Sequence, residues 1–326
     1  MISRRRFIAS ALAAACTPFA AQAQGKAPVV SVGFISSHAG RNPEDDAFEQ
    51  TLRDLGWNVG QNIRIEYRYA GGRQESLGKF AAELVAVPVD ILVVWSPAGG
   101  LAAKRATSRI PVVFLAGGGD PIGIGLVSNL GRPGGNVSGV SSAAALETYA
   151  KRLQLLKEAV PSARRIALLD STESRSSAAK QAISSAAKAL KIQVQEVQVA
   201  APAELALAVR KAKDQGADAL YVWPSGLTAA HAARISASSI ENRLPNIHAF
   251  SESAEKGGLF AYAPSMIDIA RRGAAYVDKI LRGVNVGDMP VEQPARFEFI
   301  VNLKTAKALG INIPQSTLLQ ANKVIE

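Results

Sequence analysis

Continuous apolar runs alternate with amphipathic stripes along most of the chain, and the two periods separate strands from helices. Residues 29–35 read as a buried strand that ends at the polar pair Ser36 and Ser37. A helix follows over 44–55, with Ala47, Phe48, Thr51, Leu52 and Leu55 on one face and Gly56 as its stop. Residues 62–69 alternate as a strand, 77–86 form a second amphipathic helix, and 91–95 are a short, wholly apolar strand. Ser96-Pro97-Ala98-Gly99 opens a helix that reaches Thr107, and 111–116 supply a fourth strand. Strict strand–helix alternation with apolar strands predicts a parallel sheet covered on both faces.

A turn-rich segment over 117–139 interrupts the pattern, which then restarts. Helices are predicted over 149–159, 176–190, 203–215 and 228–242, between strands over 165–169, 194–199, 219–223, 246–250 and 258–262. Residues 267–282 form an amphipathic helix with Ala270, Ala274, Val277 and Leu281 on one face, and 296–301 a late strand. The predicted fold class is therefore α/β, with two doubly wound parallel-sheet lobes joined by a multi-strand hinge. Its lobes are expected over 28–140 with 264–289, and over 141–263 with 290–303. Residues 304–326 are expected to form a tail packing on them.

Composition adds an address. Arg4-Arg5-Arg6-Phe7 precedes a short apolar run and then Ala21-Gln22-Ala23, which is the grammar of an export signal over 1–23, with paired arginines resembling a twin-arginine leader. The apolar run is too short for a membrane-spanning helix, which needs ~20 residues. A periplasmic protein is expected. Cleavage after Ala23 removes three arginines and no acid, lowering the formal charge from +10 to +7. No run of five Lys or Arg occurs, so a nucleic-acid partner is not expected. The one cysteine, Cys16, lies inside the leader; acylation there, after Ala13-Ala14-Ala15, is the alternative that would tether the protein. His38, His231 and His248 stand too far apart for a zinc motif, so no metal is expected. The roughly 300 residues left after cleavage exceed what one core supports.

Specific strings narrow the reading further. Leu52-Arg53-Asp54-Leu55-Gly56-Trp57 and Gly60-Gln61-Asn62-Ile63 are followed by Ile110-Pro111-Val112-Val113-Phe114 and Gly119-Asp120-Pro121. Then come Arg132-Pro133-Gly134-Gly135-Asn136-Val137-Ser138-Gly139, Tyr276-Val277-Asp278-Lys279-Ile280-Leu281-Arg282-Gly283 and Asn302-Leu303-Lys304-Thr305-Ala306-Lys307. In this order, over 29–326, they resemble the ABC-transporter substrate-binding family whose better-known members bind aromatic amino acids such as tryptophan. The resemblance implies a type I periplasmic-binding-protein fold with three hinge crossings, and capture of a small solute by lobe closure. An ABC permease in the inner membrane is the implied partner, and a monomer is expected.

Ligands of open α/β sheets sit beyond the carboxyl ends of strands. That rule selects Ser36, Ser37, Ser96, Pro97, Ala98, Gly119 and Asp120 in the first lobe, and Ser141 and Ser142 at the crossing. In the second lobe it selects Asp170, Ser171, Ser225, Glu252 and Tyr262. Ser96 and Pro97 suit a helix start whose free amides at Ala98 and Gly99 would receive a carboxylate. Asp120 and Asp170 carry the charge for an ammonium group, and each equally suits a helix cap. Tyr262 and Trp223 would stack on a ring or belong to the core. The Gly117-Gly118-Gly119 run lacks the order of a nucleotide loop, so no cofactor is expected. No G-x-S-x-G elbow or nucleophile–base pair is visible. A solute receptor is thus expected, not an enzyme; an exported sensory module of the same fold is the alternative, and an exported α/β enzyme a weaker one.

Overall fold

A computed structural model describes residues 29–71, 73, 75–116, 121–142, 146–171 and 177–326. The leader, Cys16, Gly119 and Asp120 lie outside the described residues. The first half of the chain runs β1 (Val30–Ser36), α1 (Pro43–Asp54), β2 (Ile63–Tyr69), α2 (Glu75–Ala86), β3 (Ile91–Trp95), α3 (Pro97–Ala106), β4 (Val112–Leu115) and β5 (Val137–Val140). These strands form one parallel sheet in the order β2-β1-β3-β4-β5.

The second half begins with α4 (Leu146–Ala159), β6 (Arg165–Ser171), α5 (Ser177–Ala189), β7 (Gln193–Val199), α6 (Leu205–Asp214) and β8 (Ala219–Val222). It continues with α7 (Gly226–Ala230), α8 (Ala232–Glu241), β9 (Asn246–His248), α9 (Glu252–Glu255) and β10 (Phe260–Pro264). Then follow α10 (Met266–Leu281), β11 (Phe297–Asn302), α11 (Leu303–Leu309), α12 (Gln315–Leu318) and β12 (Lys323–Ile325). The second sheet has the order β12-β11-β10-β9-β8-β6-β7, with β11 antiparallel to β10. The α/β class with two doubly wound sheets is thus as the sequence predicts.

Each sheet is buried on both faces. In the first, Val32, Phe34, Ile91, Val93 and Val113 pack on α1 and α10, while Leu92, Val94, Val112 and Phe114 pack on α2 and α3. In the second, Ile166 and Leu168 face α4 and α5, and Ala167 and Leu169 face α6 and α8. Burial of each large side chain contributes about 1.5–3 kcal/mol.

Helix α10 leaves the second sheet and returns to the first. Ile269, Ala270, Ala274 and Val277 enter the core beside Phe48 and Leu52 of α1, as the apolar stripe demands. Gly273 permits the approach, since a Cβ there would stand 2.4 Å from Leu115 Cδ2. Trp57 Nε1 also donates to Asp278 Oδ1 at 2.8 Å, tying α10 to the end of α1.

Three local readings change. The segment expected to be turns contains β5, a four-residue strand whose Gly139 hides it in a Gly-rich context. The helix expected over 228–242 is two helices: a Ser225–Thr228 capping box starts α7, and His231, at φ −112° and ψ 23°, leaves the helical region before α8 begins. The last residues add β12 beside β11, which no apolar run announces.

His248 on β9 is 1% exposed, and its Nε2 lies 3.4 Å from the Ser236 hydroxyl. Burial pushes its pKa down to about 3. Below pH 6.5 the unfolded chain takes up a proton that the folded one refuses, so stability falls as pH drops from about 6.5 toward 3. Denaturant titrations should show this loss, on the order of 3–5 kcal/mol at most. A His248→Gln variant should lose much less over the same window; an equal loss would assign the acid sensitivity elsewhere.

Candidate ligand site at the strand ends

In each sheet the chain first adds a strand on one side and then crosses back, which creates a switch point where ligands bind beyond the strand ends. The order β2-β1-β3 puts that point between β1 and β3. The order β8-β6-β7 puts the other between β6 and β8.

At the first point, Ser36 is fully buried and in register with Trp95 of β3 and Tyr69 of β2. Its Oγ accepts the His38 N–H at 3.1 Å, so Ser36, Ser37 and His38 form one tight turn. The His38 ring lies 6.1 Å from that of Trp95 and contacts the Asn42 amide through Nδ1. Asn42 caps α1 in a reciprocal box with Asp45, whose Oδ2 also accepts from Tyr69 Oη at 2.8 Å. Burial raises the Asp45 carboxyl pKa, and the Tyr69 hydroxyl opposes that rise. The loop after β1 is therefore held from two sides before any ligand arrives.

Across the switch, Ser96 caps α3: its Oγ accepts the Gly99 N–H at 3.0 Å, with Pro97 in the first turn. The cap is as expected, but it corrects one expectation. The Gly99 amide is taken by Ser96 and is not available to a carboxylate, because a serine cap serves its own helix first. Pro97 and Ala98 are half-buried beside it.

At the second point, Asp170 and Ser171 end β6, at 0% and 1% exposure. Neither Asp170 oxygen, nor Ser171 Oγ, has a hydrogen-bond partner among the described residues. Lys180 of α5 sets its Nζ 3.2 Å from Asp170 Oδ2, and 3.3 Å from Glu196. A buried carboxylate answered by one shared ammonium is an expensive arrangement. Beyond β8, Ser225 is occupied otherwise: its Oγ accepts the Thr228 N–H at 3.1 Å.

The remaining candidates are spread out. Ser141 is buried and Ser142 half-buried in the first crossing between the sheets, where the Ser141 N–H donates to Glu292 O at 2.9 Å. Glu252 is exposed at the start of the four-residue α9, one strand beyond the switch point. Tyr262 sits mid-strand, stacked on Phe297 at 5.5 Å. Trp223 is 1% exposed in the core against Tyr149. The sequence reading missed Arg152 of α4, which is 2% exposed, donates from Nε to Tyr262 O at 2.7 Å and leaves Nη1 without a hydrogen bond among the described residues. A charged residue on the apolar stripe Tyr149, Leu153, Leu156 was the available signal.

Known proteins fit this geometry. Residues 29–325 match the family model described as ABC transporter substrate binding protein. A tyrosine-binding protein of Clostridioides difficile is 28% identical over 283 residues, 86% of this chain and 81% of that protein. An ABC domain from Streptococcus pneumoniae, solved in complex with L-Trp, superposes with a TM-score of 0.75 at 25% identity, over 91% of this chain and all of that one. A periplasmic binding protein from Burkholderia mallei, at 14% identity and a TM-score of 0.56 over 80% of each chain, shares the fold. The two-lobed architecture is that of type I periplasmic binding proteins. Proteins of this family are typically exported and pass small solutes to ABC permeases. Among the described residues no helix is long and apolar enough to cross a membrane. The chain belongs to the family of ABC transporter substrate-binding proteins.

Proposed function

We propose that this protein is a periplasmic receptor that captures one carboxylate-bearing solute, an amino acid or aromatic acid, between lobes 28–140 with 264–289 and 141–263 with 290–303. It acts as a monomer, without turnover, without nucleic acid, and delivers its solute to an inner-membrane ABC permease. The observation that carries the ligand class is the end of β6. Asp170 and Ser171 hold three buried oxygen atoms at a switch point that have no hydrogen bond among the described residues, with Lys180 as an ion-pair partner of one Asp170 oxygen, and an α-ammonium supplies further donors. On the first lobe, the start of α3 at Pro97 and Ala98 offers a dipole of the sign a carboxylate needs. The tyrosine and tryptophan bound by the two relatives have both groups.

The test is thermal stabilisation across a panel of amino acids and aromatic acids. A true ligand at a hundred times its dissociation constant stabilises the folded state by about 2.7 kcal/mol. Silence across the panel would remove the ligand class, and conversion of a solute during incubation would remove the receptor reading.

A further inference from the structure

The chain crosses between the two sheets at 140–142, at 264–265 and at 290–296. One face of α10 lies along the third crossing. Asp268, Arg272 and Tyr276 are spaced four apart, so each stands one turn, ~6 Å, from the next. Their partners run in the opposite direction along the extended segment. Tyr276 Oη donates to Pro290 O, Arg272 Nη1 to Glu292 Oε2 at 2.7 Å, and Arg296 Nε lies 3.7 Å from Asp268 Oδ1. Asp268 is shared, because Arg272 Nε also donates to its Oδ2 at 2.9 Å.

The two ends of this clasp belong to different lobes. Glu292 is fixed to the first sheet through Gly139 O and the Ser141 N–H. Arg296 immediately precedes β11 of the second sheet, and its carbonyl accepts the Ser265 N–H at 3.0 Å. Between them, residues 293–295 make no backbone hydrogen bond to another strand among the described residues, so a change in lobe angle falls there. The Asp268–Arg296 pair spans that bend, and Arg272 anchors it to Glu292.

We propose that Asp268, Arg272, Glu292 and Arg296 form a charged clasp across the hinge that sets the resting angle of the lobes, and through it the affinity for any solute. None of the four is among the residues assigned to the solute, so they are positioning residues. A change in the population of the binding-competent angle rescales every dissociation constant by one common factor. The affinity arm of the test rests on the receptor reading above; the scattering arm does not.

Arg296 is 73% exposed at its side chain, so Arg296→Glu should fold normally while placing like charges at the bend. Small-angle scattering of the ligand-free variant is expected to differ from wild type. Its affinities for L-tyrosine and L-tryptophan, by calorimetry, should shift by the same factor of about threefold or more. The shift should be tighter if the variant is the more compact form and weaker if it is more open. It should shrink toward unity at ~0.5 M salt. Arg296→Gln should fall between the two. Unchanged ligand-free scattering, or different factors for the two amino acids, would overturn the clasp. Failure of wild type to bind either amino acid would overturn the receptor reading instead, leaving scattering to decide the hinge.

Discussion

Asp170→Asn is expected to weaken binding of an ammonium-bearing solute by about 30-fold or more and to leave the protein as stable as before. The binding loss follows from the burial of this carboxylate. At 0% exposure it has no water to fall back on, and truncating one partner of a buried charge pair costs about 2–5 kcal/mol. The stability side follows from the same burial. Both oxygens lack hydrogen bonds among the described residues, so the carboxylate is a cost that asparagine relieves. Lys180 keeps Glu196 at 3.3 Å when Asp170 no longer attracts it. The informative comparison uses two probes, L-tyrosine and 3-(4-hydroxyphenyl)propionate, which is tyrosine without its ammonium. Calorimetry should show a large loss for the first and little for the second. Equal losses for both would make Asp170 a structural partner of Lys180 and nothing more.

Gly139→Ala collapses the first lobe. Gly139 pairs with Phe114 in the β4–β5 ladder at φ +156°, and a Cβ there would stand 2.0 Å from Phe114 O and 2.7 Å from Phe114 N. Those atoms are sheet backbone, so no rotamer change relieves the clash. The same strand leads into the first crossing, where Gly139 O accepts the Glu292 N–H. Displacing β5 therefore disturbs the core and the hinge together. A loss above about 4 kcal/mol is expected, of the size seen only where a core or a backbone is broken. At ~2–4 °C per kcal/mol, the melting transition should fall by about 8 °C or more. A variant melting within ~2 °C of wild type would show that β5 tolerates displacement.

The two predictions rest on features of different legibility. The strands β1, β3, β6 and β8 stood out as apolar runs closed by Ser36, Ser96, Asp170 and Pro224, because a strand buried on both faces has few polar positions to blur it. Short strands were another matter. The β5 segment has only two large apolar residues, and β12 is held by pairing to β11 more than by its own composition. The stripe on α10 announced a buried face, and the expected lobe of 28–140 with 264–289 put it on the first sheet; the close approach of Gly273 to Leu115 was not visible in the pattern.

The candidate site's strand-end positions were legible in the sequence, and the state of their side chains much less so. Strand ends selected Ser96 and Ser225 as candidates, and the structure shows both hydroxyls committed to their own helices. Asp170 looked like a cap or an ammonium partner. Its burial and its pairing with Lys180, ten residues on, depend on how α5 folds back over β6. Arg152 was passed over as a candidate because an arginine on a helix is usually solvated, whereas here it lies over the Tyr149 ring and donates to Tyr262 O in the interior.

The central claim is that two lobes close on a small solute and release it unchanged. Titration calorimetry of the protein with L-tyrosine and L-tryptophan, followed by recovery of the solute, tests it most directly. The account predicts saturable one-to-one binding of at least one of them, with all of it recovered intact. No heat from either, confirmed by an unshifted melting curve across the wider panel, or any chemical conversion of the solute, would contradict it.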